Sequence, residues 1–258
     1  MRIAVCQLEI AYEEKENNLI KAEKFVKSAA ERRADILFFP EMSFTGFSMN
    51  TKLTGETDEK PQTFLKVKQY AIKHQMAIGF GWVKGKSNSE NHYTIVDKCG
   101  KVLCDYVKIH PFSYSGEDNY FSAGNELKTF DFGDMKFGIS ICYDLRFAEI
   151  YGAMSEYAHV MIVPANWPEK RKQHWQTLLR ARAIENQVYM AGINCFGNQN
   201  GLYYSGNSSV VNPNGDVLFE INDREGMEII DIENDVFKYR SEFPVKKDRR
   251  KELYREFY

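Results

Sequence analysis

Apolar residues alternate between short strand-like runs and longer stretches at helical spacing along most of the chain. Residues 2–8 (Arg-Ile-Ala-Val-Cys-Gln-Leu) read as a strand near the start. From about residue 13 to residue 33, Leu19, Ala22, Phe25, Val26, Ala29 and Ala30 recur at helical spacing. Residues 35–39 form a continuous apolar strand of the kind buried on both faces. Pro61 opens a second helix with Phe64, Leu65, Ala71 and Ile72 on its inner face. Strands follow at 77–83, 93–97 and 102–107, the last two joined in a hairpin through Lys98-Cys-Gly-Lys101.

After a loop over 109–125, residues 129–132 and 137–141 read as strands around the Gly133-Asp134 turn. A helix is expected from Asp144 to Met154, then a strand over 159–163. Residues 172–185 predict a helix with Trp175, Leu178, Leu179 and Ala183 inward. Strands at 188–193, 208–212, 217–221 and 227–232 complete the pattern. Helices and strands alternate with interleaved hairpins and no linker, which predicts one α/β domain over 1–258 built on mixed sheets.

The 258 residues, 43% of them apolar, can build a large core. A net charge of −2 gives no reason to expect nucleic acid or an anionic membrane as partner. There is no membrane-length apolar run, and no leader is expected ahead of the first strand. The five cysteines lack zinc-ligand spacing and a Cys-x-x-Cys pair, so no metal site is expected, and reduced thiols in a cytoplasmic setting are.

Three apolar strands end in a reactive side chain: Glu41, Lys108 and Cys142. Strand ends are where layered α/β folds assemble sites. Cys142 stands between a strand and an expected helix start, which lowers a thiol pKa and offers N–H groups to an oxyanion. A core cysteine, a solvated glutamate and a charge leaving the sheet are the plain alternatives for the three taken singly. Together they suit a single reaction, with Cys142 as nucleophile, Lys108 and the Tyr143 N–H as oxyanion donors, and Glu41 as proton carrier.

Phe-Phe-Pro-Glu41, Tyr-Val-Lys108-Ile-His and Ile-Cys142-Tyr-Asp-Leu-Arg-Phe, in that order and at wide spacing, resemble the signature segments of the nitrilase superfamily of carbon–nitrogen hydrolases. The resemblance implies an α-β-β-α sandwich and a cofactor-free thiol amidase with Glu41 as base, Lys108 as oxyanion stabiliser and Cys142 as nucleophile. It also implies that Glu117, in Pro-Phe-Ser-Tyr-Ser-Gly-Glu117, positions substrate, although a solvated loop acid fits that position as well. Pro-Ala-Asn-Trp-Pro168 and the segment from His174 to Gln187 are similar to bacterial ω-amidases, which cleave the terminal amide of short α-keto acid monoamides. Deaminated-glutathione amidases and N-carbamoyl hydrolases share parts of these motifs. A Cys–His hydrolase using His110 and a binding protein on the same fold are the further alternatives.

Phe44, Tyr143, Asn166 and Trp167 are the expected pocket lining, with core packing the other reading for Phe44. Arg171 is the expected contact for a substrate carboxylate, whereas Arg146 is expected to pair with a carboxylate inside the fold. The resemblance further implies a homodimer through the helices near 146–157 and 172–186, with a tail from about residue 236 that crosses to the partner.

Overall fold

Successive strand residues point to opposite faces, and in the central strands of this chain both faces are apolar. In β1 (Arg2–Gln7), Ala4 and Cys6 enter one core while Ile3 and Val5 enter another. In β2 (Ile36–Phe38), Leu37 joins the first core and Ile36 and Phe38 the second. A sheet buried on both faces must be covered twice, and two such sheets sharing one core leave their outer faces to helices. The computed structural model, which describes residues 1–59 and 61–256, has this order of layers: helix, sheet, sheet, helix.

The first sheet adds β3 (Ala77–Lys84), β4 (Glu90–Val96), β5 (Val102–Val107) and β13 (Gly226–Asp231) in the order β13-β1-β2-β3-β4-β5. β1, β2 and β3 are parallel, and the outer strands pair antiparallel. Helices α1 (Lys15–Glu31) and α3 (Gln62–His74), with the short α2 (Thr51–Thr54) between them, lie on this side of the molecule. Leu19, Ala22 and Val26 of α1 pack with Val67, Tyr70 and Ala71 of α3 over the outer face.

The second sheet contains β6 (Thr129–Phe132), β7 (Met135–Ile139), β8 (Val160–Ala165), β9 (Tyr189–Asn194), β10 (Phe196–Gln199) and β11 (Leu202–Val211) in the order β10-β11-β9-β8-β7-β6, and β12 (Val217–Asn222) pairs with β11. Here β7, β8 and β9 form the parallel trio. Tyr151 and Met154 of α4 (Ala148–Met154) and Trp175, Leu179 and Ala183 of α5 (Lys172–Asn186) cover it. The C-terminal ends of β2, β7 and β8 thus come from both sheets, which share the core of Phe38, Phe137 and Ile162.

Three local expectations need correction. Leu65 and Ile72 do not face inward but are 50% and 43% exposed. The inner stripe of α3 runs through Phe64, Val67, Tyr70 and Ala71, and Leu65 and Ile72 lie about 100° round the helix from Phe64 and Ala71. The segment after the cysteine is not one helix from Asp144: a 3₁₀ turn spans Cys142–Arg146, Phe147 is extended, and α4 begins only at Ala148. The Asp144 side chain bonds the Ile141 N–H, and this closes a tight turn in place of a helical one. Finally, the strand expected at 208–212 begins earlier: β11 starts at Leu202 and pairs with β10, whose Phe-Gly-Asn-Gln has no apolar alternation to announce it.

The tail carries two short helices, α6 (Val236–Glu242) and α7 (Lys251–Tyr254). It packs along its own chain: Arg240 donates to the Ser155 and Ala158 carbonyls, and Arg249 to the Glu185 carbonyl and Asn186 Oδ1. Among the described residues, no helix is long and apolar enough to cross a membrane.

Candidate active site

Glu41 follows β2 in a turn fixed by its neighbours. Ser43 Oγ donates to the Pro40 carbonyl at 2.6 Å and accepts from the Gly81 N–H at 2.8 Å. Gly81 allows this close approach, because a Cβ there would meet the Met42 nitrogen at 2.4 Å. The Glu41 side chain is wholly buried.

Lys108 leaves β5 with its backbone N–H on the Asn91 carbonyl, and its side chain turns inward. Its Nζ lies 2.8 Å from Glu41 Oε1 and 3.1 and 2.9 Å from the two oxygens of Glu117. Asn91 Nδ2 donates to both carboxylates, at 2.8 and 3.2 Å. Asn166 adds its backbone N–H on Glu41 Oε2 and its Nδ2 on the Glu41 carbonyl. The Phe112 N–H holds Glu117 Oε2. Burial works against the Lys108 ammonium, but Glu117 and then Glu41 outweigh it and raise the pKa above its ordinary value. Glu117 is pushed up by burial, with Lys108 opposing and Glu41 adding. Glu117 is therefore no solvated loop acid.

Cys142 sits past the end of β7 with φ +47°, a left-handed conformation that few residues with a side chain adopt. Its Sγ is 3.8 Å from the Asn166 carbonyl, next to the groups that hold Glu41. Burial first, then Glu41, push the thiol well above its ordinary pKa, and Lys108 offsets only part. The lowered pKa expected from a helix start is thus corrected. The turn after Cys142 is a short 3₁₀ turn, and the surroundings of the sulfur combine low polarity with a carboxylate.

Lys108 and Cys142 open into one cavity of about 310 Å³. Tyr143, Asn166, Trp167 and Arg171 line it as expected. Phe44 does not: it is 1% exposed and packs on Phe39 in the core under α1, while Phe47, three residues on, lies on the cavity wall. Arg146 is also on the wall, where an internal carboxylate partner was expected. Its guanidinium lies 4.7 Å from the Trp167 ring centroid and 5.9 Å from that of Tyr143. Arg171 lies over Phe112 and Tyr114, at 5.4 and 5.3 Å. Among the described residues, neither arginine has a carboxylate within 4.0 Å. Burial, then the charge of Arg171, push the Arg146 pKa down. His110 is not on the wall; its Nδ1 is 2.7 Å from Asp144 Oδ1 and its ring stacks on Phe147.

Sequence reasoning missed Asn91, Phe47 and Asp144. Asn91 carried a usable signal: a polar residue just before an apolar strand that, with the strand extended to Glu90, falls inside the sheet.

These two sheets, with a thiol, an ammonium and two carboxylates gathered where their strands end, define the architecture of a carbon–nitrogen hydrolase. A protein-family model described as carbon-nitrogen hydrolase matches residues 2–240, and the chain belongs to that family. The 2-oxoglutaramate amidase of Bacillus subtilis (strain 168) is 36% identical over 258 residues, covering 98% of each chain. Omega-amidase YafV of Yersinia enterocolitica is 30% identical, again over 98% of each. The crystal structure of XC1258 from Xanthomonas campestris, a CN-hydrolase superfamily protein with an arsenic adduct in the active site, matches with a TM-score of 0.90 at 26% identity, covering 96% of this chain and 97% of that one.

Replacing Lys108 with methionine leaves Glu41 and Glu117 buried against each other with no cation between them. Urea unfolding is expected to show a loss of about 3–5 kcal/mol, partly recovered in Lys108→Met/Glu117→Gln. A Lys108→Met variant as stable as wild type would contradict the pairing.

Proposed function

We propose that the chain is a thiol amidase hydrolysing the terminal amide of a short α-keto acid monoamide, such as α-ketoglutaramate, to the acid and ammonia. The observation that carries this reading is the shared cavity: Cys142 and Lys108 face it, Glu41 stands one hydrogen bond behind, and two guanidinium groups without carboxylate partners lie on its wall. A cavity of this volume suits a small anion whose carboxylate supplies the charge those arginines lack. The relatives named as 2-oxoglutaramate amidase and omega-amidase support the same substrate class.

In the proposed sequence, Glu41 takes the Cys142 proton as Sγ bonds to the amide carbon. The high thiol pKa makes this transfer necessary, since little thiolate exists at rest. The carbonyl oxygen takes up the electron pair, held by the Lys108 ammonium and the Tyr143 N–H. When the C–N bond breaks, Glu41 returns the proton to the departing ammonia, and a thioester remains on Cys142. Glu41 then deprotonates water for attack on the thioester, and the carboxylic acid leaves with Sγ again protonated. Glu117 keeps Lys108 aimed at the oxygen and orients the amide. Asn166 and Trp167 are the proposed contacts for the body of the substrate, with Arg146 beside Arg171 for its carboxylate.

We further propose a cytoplasmic homodimer that meets through the outer surfaces of α4 and α5. Ile184 and Tyr157, on and beside these helices, are 51% and 68% exposed. The tail from residue 236 packs on the same surface of its own chain and would border that interface.

Ammonia release from α-ketoglutaramate, α-ketosuccinamate, deaminated glutathione and an N-carbamoyl amine tests the substrate assignment. The two short keto acid amides should be preferred, and Cys142→Ala should be folded but inactive. Arg146→Leu should raise KM for α-ketoglutaramate by roughly 10- to 100-fold. Preference for deaminated glutathione or the carbamoyl compound would overturn the assignment, and wild-type turnover by Cys142→Ala would overturn the nucleophile. Sedimentation as a monomer at micromolar concentration would contradict the dimer.

A further inference from the structure

One buried carboxylate outside the proposed chemistry ties the cysteine turn to the lysine segment. Asp144, two residues past Cys142, is wholly buried. Its Oδ2 accepts from the Ile141 N–H at 2.8 Å and from the Tyr106 hydroxyl at 2.8 Å. Its Oδ1 accepts from the His110 N–H at 3.0 Å and lies 2.7 Å from His110 Nδ1, which carries the proton because it faces a carboxylate oxygen. Tyr106 and His110 are the residues two before and two after Lys108. A single side chain therefore grips the backbone just before the nucleophile and both flanks of the ammonium.

The turn needs such a grip. At φ +47° the Cys142 backbone is strained, and such a conformation persists only where the surroundings hold it. On the far side, Arg182 Nε and Nη2 donate to the Leu145 and Arg146 carbonyls, and the His110 ring, 3.7 Å centroid to centroid on Phe147, covers the end of the turn. Asp144, His110 and Tyr106 are absent from the cavity wall, so none of them is placed to touch a substrate.

We infer that Asp144, with Tyr106 and His110, is a positioning unit that sets the separation of Cys142 Sγ and Lys108 Nζ, and so acts on turnover and not on substrate affinity. The inference rests on the proposed thiol chemistry. A shift of about 1 Å between reacting groups is enough to cost on the order of 100-fold in rate.

The test uses the full-length enzyme and the variants Tyr106→Phe, His110→Ala, His110→Asn and Asp144→Asn, with kcat and KM for α-ketoglutaramate expressed per folded molecule. Tyr106→Phe and His110→Ala should each lower kcat by roughly 10- to 100-fold with KM within about twofold. His110→Asn, whose amide N–H stands where Nδ1–H stood, should restore most of the loss. Asp144→Asn should be the most damaging, and the other three variants carry the test if it does not fold. A second measurement follows alkylation of Cys142, which is half-buried, by iodoacetamide through its peptide mass, because Cys99 is exposed and would react as well. Tyr106→Phe and His110→Ala should react at least about fivefold more slowly than wild type at Cys142.

Unchanged kcat per folded molecule, a loss confined to KM, or no recovery in His110→Asn would overturn the inference. If the wild type released no ammonia from any amide, the proposed function would fall, and the alkylation rates would still decide the positioning: slowed rates support it, and equal or faster ones overturn it.

Discussion

A lysine ammonium buried between two carboxylates is the constraint the rest of this molecule serves. Lys108 is 1% exposed and Glu41 and Glu117 not at all, so none of the three can be satisfied by water. Charges taken this far from solvent persist only when paired and hydrogen-bonded. The pairing here is supplied by strand ends far apart in sequence: Glu41 after β2, Lys108 after β5, Asn166 after β8, and Glu117 from a loop pinned by the Phe112 N–H. Two sheets packed on one shared core bring those ends together, and the rigidity of that core fixes distances a loop alone would not hold.

The same constraint shapes the electrostatics of the sulfur. A thiol beside a solvated cation would ionise readily, but here the cation is already held by two carboxylates. At Cys142, burial and then Glu41 therefore raise the thiol pKa, and Lys108 offsets only part of the rise. In the proposed reaction, such a site reserves nucleophilicity for the moment a carbonyl occupies the cavity, when Glu41 would have a proton to take and Lys108 an oxygen to hold. The arginines on the wall are placed differently. They stack on aromatic rings and lack carboxylate partners among the described residues, which leaves their charge for a ligand.

Much of this is legible in the amino-acid pattern alone. Strands buried on both faces announce themselves as continuous apolar runs, and the residues that end them stand out because they are charged or reactive, as Glu41, Lys108 and Cys142 do. Glu117 is less visible, since its loop has no periodicity and its burial depends on Lys108 reaching it. Phe44 and Phe47 show where pattern stops deciding: both are aromatic and three residues apart, and only packing under α1 settles which one leaves the cavity. The place of Arg146 on the wall follows from the 3₁₀ turn, and that turn follows from bonds between Asp144 and residues as distant as Tyr106, which no local pattern encodes. Leu65 and Ile72 look inward in sequence because each is an apolar neighbour of the inner stripe, and packing against α1 selects Phe64, Val67, Tyr70 and Ala71.

The central claim is that Glu41 holds the resting proton on Cys142 while Lys108 is occupied by carboxylates. The most direct measurement is the pH dependence of Cys142 alkylation, followed by peptide mass in wild type and in Glu41→Gln. Because the carboxylate raises the thiol pKa and Lys108 lowers it, the account predicts that wild-type Cys142 stays protonated through neutral pH and that its midpoint falls in Glu41→Gln. A wild-type thiol already ionised at neutral pH, or a midpoint that stays in place or rises in Glu41→Gln, would contradict it.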